Sequence, residues 1–149
     1  MRKPPQLPTT TPGGTCIFCA IATGDAPATF VHEDDEFVAI VDLRPVSTGH
    51  LLVLPRAHAE GLADLPAEAG ARMFTIAQEL AAVLRRTEIR TEGITLFLAD
   101  GAAAGQEIPH VHLHVIPRHP DDGFVLEADW RVRDRAELEA VGKQVRAAL

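Results

Sequence analysis

The chain has 149 residues, enough for one domain, and its hydrophobic (46%) and charged (23%) fractions are ordinary for a globular protein. Lys+Arg 14 against Asp+Glu 21 gives a net charge of −7 with His neutral, which excludes a phosphate-tracking nucleic-acid binder but still allows a small anionic ligand held by local donors. No apolar run approaches the ~20 residues of a membrane span, and two cysteines cannot build a disulfide framework.

Residues 1–14 are dominated by Pro, Thr and Gly. They bury too little apolar surface to offset chain entropy, which predicts a disordered tail followed by a single domain over 15–149. Met1-Arg2-Lys3-Pro4-Pro5 lacks the apolar stretch of a secretory signal, and the expected location is cytoplasmic. Residues 16–22 (CIFCAIA) read as a short helical turn closed by Gly24. Phe37–Val41 and Leu51–Leu54 read as buried strands, the second stopped by Pro55. Between them, Arg44-Pro45 and Thr48-Gly49 punctuate a loop.

From Pro66 to Arg86, Ala69, Met73, Ile76, Ala77, Leu80 and Leu84 recur at helical spacing. Ile94–Leu98 is a third strand and Val111–Ile116 a fourth, ended by Pro117. Phe124–Val132 fits no single pattern. Residues 134–149 form an amphipathic helix through Leu138, Val141, Val145 and Leu149. Strands outnumber helices and one long helix crosses between strand pairs. The expected class is α+β, an antiparallel sheet with the long helix packed on it and a helix at the C-terminal end.

His110-Val111-His112-Leu113-His114 is the most informative stretch. Side chains alternate along a strand, so the three imidazoles would line one face and Val111, Leu113 and Val115 the other. Imidazoles titrate near neutrality and are poor choices for packing alone. Such a face could bind a hydrolytic metal with an open position for water. Alternatively, one neutral imidazole could act as a nucleophile while its other nitrogen donates to a carbonyl. The preceding loop, Asp100 to Gln106, holds Gly101 and Gly105 among alanines. Small residues let backbone N–H groups approach an anion, which suits phosphate better than a bare metal.

The run GQEIPHVHLHVIPR resembles the histidine triad family, whose signature alternates histidine with apolar residues. The resemblance extends to Cys16-Ile17-Phe18-Cys19, Asp42-Leu43-Arg44-Pro45, Gly49-His50 and Ala104-Gly105-Gln106, in order over about residues 15–125. It implies an α+β fold paired into a dimer through one continuous sheet. It also implies purine-nucleotide binding and cleavage at the α-phosphate, with phosphoramidates, dinucleoside polyphosphates or adenylylated small molecules as substrates. By position, His112 would be the nucleophile that forms a nucleotidyl-histidine. His114, Gln106 and Gly105 would serve the phosphate, Asp42 the ribose hydroxyls, and His50 the phosphate or the triad. Phe18, Phe37, Ile40 and Leu51 would wall the base.

The resemblance is to the bacterial zinc-containing branch. It implies a structural zinc on Cys16, Cys19, His58 and His110; a redox pair or two inert thiols remain the alternatives for the cysteines. One position departs from the family pattern: Glu107 stands where a hydroxyl residue is common, and a carboxylate there would repel a polyphosphate. Two competing readings are a nucleotide-binding regulatory protein with little turnover, and a zinc hydrolase with the metal on all three triad histidines. The expected partners are a purine nucleotide and a second copy of the chain, with neither nucleic acid nor membrane.

Overall fold

The computed structural model describes residues 5–149. Five strands, β1 (Phe30–Glu33), β2 (Phe37–Val41), β3 (Leu51–Pro55), β4 (Gly93–Phe97) and β5 (Leu113–Arg118), form one sheet in the order β1-β2-β3-β5-β4. Every pairing is antiparallel. Three helices accompany it: α1 (Ile17–Thr23), α2 (Ala67–Leu84) and α3 (Arg135–Ala148). The class is α+β, as the sequence implies.

The two faces of the sheet carry two cores. On one, Met73, Ile76, Ala77, Leu80 and Leu84 of α2 pack on Phe37, Ala39, Leu51, Val53, Leu113 and Val115. On the other, Phe18, Ile21 and Ala22 of α1 pack on Val38, Ile40, Leu52 and Leu54. β2 and β3 are therefore buried on both sides, which is why each reads as an unbroken apolar run rather than an alternating one. Gly24 ends α1 at φ 84°, a left-handed cap that only glycine adopts without strain.

Several boundaries differ from the sequence reading. β1 was not expected: Phe-Val-His-Glu is a short, half-exposed edge strand with one histidine and one acid. β5 starts at Leu113 rather than Val111, because the Val111 N–H donates to the Ala59 carbonyl (2.7 Å) instead of to a neighbouring strand. It runs on through Pro117 because β3 pairs only as far as Val115, leaving β4 alone beside the proline. His110 and His112 thus precede the strand and only His114 lies in it.

Residues 1–4 of the expected tail lie outside the described residues. Residues 9–14 are not free chain: Thr10 bridges Cys16, and the Ile17 N–H donates to the Thr9 carbonyl (3.0 Å). Pairing with the start of α1 supplies what the composition of this segment lacks. At the other end, α3 is capped by Asp134, whose carboxylate accepts from the Glu137 N–H (2.9 Å). Its apolar stripe (Leu138, Val141, Val145) stays exposed. Residues 124–132 form no regular element. Among the described residues, no helix is long and apolar enough to cross a membrane.

Candidate active site and metal cluster

The segment 110–114 crosses from the end of α1 to the middle of the sheet, and it holds two separate groups of side chains. His110 belongs to the first. Its Nδ1 lies 3.6 Å from Cys16 Sγ, 3.5 Å from Cys19 Sγ and 3.3 Å from His58 Nδ1, and Cys19 Sγ is 3.3 Å from His58 Nδ1. All four donor atoms lie within 4.8 Å of one another. In a tetrahedral zinc site with usual bond lengths, ligand atoms are about 3.3 Å apart for N–N and about 3.6 Å for S–N. The observed edges match that figure closely.

The ring of His110 is also set for this duty. Its Nε2–H donates to the Pro55 carbonyl (2.8 Å), which leaves the Nδ1 lone pair facing the sulfurs. The residue is wholly buried, and burial pushes its pKa down to about 4. Burial, together with the hydrogen bond and negative charge of Cys16, drives the Cys19 thiol up to about 11. For both sulfurs to ionise at this distance, a cation would have to sit between them. Both thiols are free of disulfide.

The second group is His112, His114, His50 and Asp42. The His112 Nδ1–H donates to the His110 carbonyl (2.7 Å), so a neutral ring keeps its lone pair on Nε2. Burial lowers the His112 pKa against three opposing influences, the hydrogen bond to His110 and the charges of Asp42 and Glu107. The residue as a whole retains 8% exposure. Phe18 meets it edge-on with centroids 5.0 Å apart, and the His114 ring centroid is 4.9 Å away.

His114 receives its tautomer through a relay. The Val46 N–H donates to His50 Nδ1 (3.2 Å), so the proton of neutral His50 is on Nε2. That Nε2–H donates to His114 Nδ1 (2.8 Å). His114 therefore carries its own proton on Nε2 and presents an N–H donor. Burial, with His112 and His50 alongside, lowers the His114 pKa to about 3. Burial also lowers that of His50, against the pull of Asp42, whose Oδ2 is 3.4 Å from His50 Nε2. The other Asp42 oxygen accepts from the Arg44 N–H (2.7 Å), the turn-holding role open to a carboxylate before Pro45.

The remaining residues expected at the site are held by contacts within the fold. Gln106 offers no free amide: its Nε2 donates to the Glu60 and Ile108 carbonyls (2.7 and 3.1 Å), and its Oε1 accepts from the Gly101 N–H (2.7 Å). Two donors of the glycine loop are also paired. The N–H of Gly105 closes on Ala102 (3.0 Å) and that of Gln106 on Gly101 (3.2 Å), so these donors are taken up within the loop. Phe37 and Leu51 lie on the α2 face of the sheet, opposite the histidines, and cannot wall a base. Phe18 and Ile40 lie on the correct face but are enclosed in the α1 core.

An aromatic neighbour not expected from sequence is Phe97, partly exposed at 37%, with its ring 5.6 Å from that of His114. The pairing of Phe97 with His114 across β4 and β5 brings it there. Two surface cavities, of about 540 Å³ between residues 8–12 and α1 and about 490 Å³ between α2 and strands β1–β3, touch neither His112 nor His114.

The family model of the HIT domain matches residues 23–121. An uncharacterized HIT-like protein of Mycobacterium tuberculosis is 41% identical over 134 residues, covering 90% of this chain and 92% of its own. An adenosine 5′-monophosphoramidase of Schizosaccharomyces pombe is 30% identical, covering 88% of this chain and 96% of its own. Among solved structures, a zinc-bound histidine triad family protein from Mycobacterium smegmatis superposes with a TM-score of 0.71 at 39% identity, covering 90% of this chain and 97% of its own.

Proposed function

This chain belongs to the HIT-domain family, and from that premise we propose that it is a nucleotidyl hydrolase or transferase acting through His112 on purine-nucleotide conjugates. The observation that carries the proposal is the His112 tautomer. A buried, neutral ring with its Nδ1–H tied to the His110 carbonyl has one unshared pair, on Nε2. That is the arrangement a nitrogen nucleophile requires. In the first step the Nε2 pair forms a bond to the α-phosphorus and the bond to the leaving group breaks, its electrons departing with that group. An amine leaving group takes a proton from solvent. In the second step water displaces His112 from phosphorus, releasing the nucleoside monophosphate and returning one proton.

The His114 Nε2–H is the donor that meets the developing charge on phosphate oxygens. Asp42 accepts from ribose hydroxyls through Oδ2, and His50 holds the tautomer of His114. Gln106 acts as a positioning residue, joining the 100–106 loop to the backbone at Glu60. Phe97 offers an aromatic edge beside His114, and Phe18 and Ile40 back the site from the core.

Cys16, Cys19, His58 and His110 would hold zinc, as the matching of their separations to a tetrahedral site supports. A closed site of this kind supplies folding energy and a cross-link, not an open coordination position. It would pin α1 and residue 110, from which the His112 hydrogen bond is made. The free edge of β4 and the exposed stripe of α3 support a homodimer formed through the sheet. Unpaired cysteines accord with a reducing cytoplasm.

The test is incubation with adenosine 5′-phosphoramidate. An AMP adduct on His112 by peptide mass spectrometry, and release of AMP lost by a factor of about 10³ or more in His112→Ala, is the expected result. AMP binding with neither adduct nor release would make the chain a nucleotide-binding regulator instead. A fully active His112→Ala protein would end the proposal.

A further inference from the structure

The 42–49 loop and the segment before the histidines are joined by an ion pair between Arg44 Nη2 and the Glu107 carboxylate. Arg44 is fixed at three points. Its backbone N–H donates to Asp42 Oδ1, its Nη1 to the Pro5 carbonyl, and its Nη2 to Glu107. Both terminal nitrogens of the guanidinium are thus engaged and its Nε is buried without a partner, so the cation is turned to Glu107 rather than free for a phosphate chain. The charges of both Asp42 and Glu107 reach the His112 ring. With the histidines neutral, the rim holds two carboxylates against one guanidinium, and its net charge is negative. Glu107 is half-exposed, at 52% for its side chain, so Arg44 leaves part of its carboxylate open to solvent.

We propose that Glu107, clamped by Arg44, determines leaving-group specificity, admitting conjugates whose departing part is an amine, best a cationic one, and excluding polyphosphate chains. This rests on the nucleotidyl-transfer reading above and narrows it. When the P–N bond breaks, its electron pair leaves with nitrogen, nitrogen takes a proton from solvent, and the resulting ammonium meets a carboxylate. A departing polyphosphate would carry several negative charges past that carboxylate with no unengaged cation beside it. Like charges at this range oppose each other strongly at the edge of a protein.

The experiment compares kcat/KM for two adenosine 5′-phosphoramidates of matched size, one made from ethylenediamine and one from glycine, with diadenosine tetraphosphate as a third probe. The departing parts of the first two differ in the sign of their charge. The wild-type protein is expected to prefer the ethylenediamine conjugate, and Glu107→Gln to reduce that preference about tenfold while raising turnover of diadenosine tetraphosphate. Arg44→Gln, which leaves Glu107 unpaired, moves the preference the opposite way, and Glu107→Asp keeps it. Added salt compresses the wild-type preference, since the pair is exposed. Turnover of the conjugates with a preference unmoved by Glu107→Gln, or moved in the same direction by both charge-removing variants, overturns this proposal alone. No turnover of any probe by the wild-type protein overturns the parent reading and this one with it.

Discussion

Acid should destabilise this protein earlier than its carboxylates alone would require, and His114 is the clearest source. Its half-buried imidazole packs against His112, His50 and Phe97, and its folded pKa falls from the ordinary 6.5 to about 3. An unfolded chain binds a proton there below pH 6.5, while the folded chain refuses it until about pH 3. The unfolded state holds more protons throughout that window, so stability rises with pH across it and falls as pH drops. The contribution is fully present above pH 6.5 and declines by about 1.4 kcal/mol per pH unit below it. Between pH 7 and pH 5, His114 alone should cost the folded state about 2 kcal/mol. The assay is urea unfolding of the wild-type protein and His114→Gln at pH 7.0, 6.0 and 5.0. The wild type should lose about 2 kcal/mol more than the variant over that range. Equal losses in the two proteins would show that the His114 site excludes no proton, and the tautomer relay from Val46 through His50 would fall with it.

Activity should follow the same sign: if a neutral His112 is the nucleophile, kcat/KM on a phosphoramidate stays flat above pH 6.5 and its acid limb lies lower, which a pH–rate profile reads directly. Chelation of the wild-type protein, or Cys16→Ser, should lower the melting temperature by several degrees, whereas His112→Ala should retain one zinc per chain by elemental analysis; zinc lost in His112→Ala would move the metal to the triad. Gln106→Ala removes two donations that tie the 100–106 loop to the Glu60 and Ile108 carbonyls and an acceptor that holds the Gly101 N–H within the loop, a loss of about 1–3 kcal/mol in unfolding free energy, and a wild-type unfolding curve would contradict the clasp. Thr95→Lys on the free edge of β4, away from the α2 core that Leu96 packs against, should convert a dimer to a monomer in sedimentation velocity, and an unchanged sedimentation coefficient would place the interface elsewhere.

How far the sequence could be read depended on whether a feature is local. The long helix was legible because only one of its faces is buried, so Met73, Ile76, Leu80 and Leu84 keep a helical period. The triad was legible because three histidines at alternate positions have no packing purpose. The sides of β2 and β3 were not, since both faces are buried and alternation carries no signal. Phe37 and Ile40 look equivalent in FVAIV, yet they face opposite cores. The occupation of Gln106 by the backbone of Glu60, 46 residues away, and the pairing of Arg44 with Glu107 across 63 residues leave no local trace. Phe97 could have been found only from the register of β4 against β5.

What unites the two histidine groups is the source of their protonation pattern. The Pro55 carbonyl fixes the proton of His110, the His110 carbonyl that of His112, and the Val46 N–H, through His50, that of His114. His110 and His112 are assigned directly by main-chain carbonyls and His114 at one remove, through a histidine that the Val46 N–H assigns, and burial keeps the rings neutral so that the assignment holds. The consequence is directional: His110 turns its lone pair to the cysteines, His112 turns one outward, and His114 turns out a donor. A nucleophile and an adjacent N–H donor are therefore preset before any ligand arrives. A metal at Cys16, Cys19, His58 and His110 would stiffen the segment whose carbonyl sets the first of them.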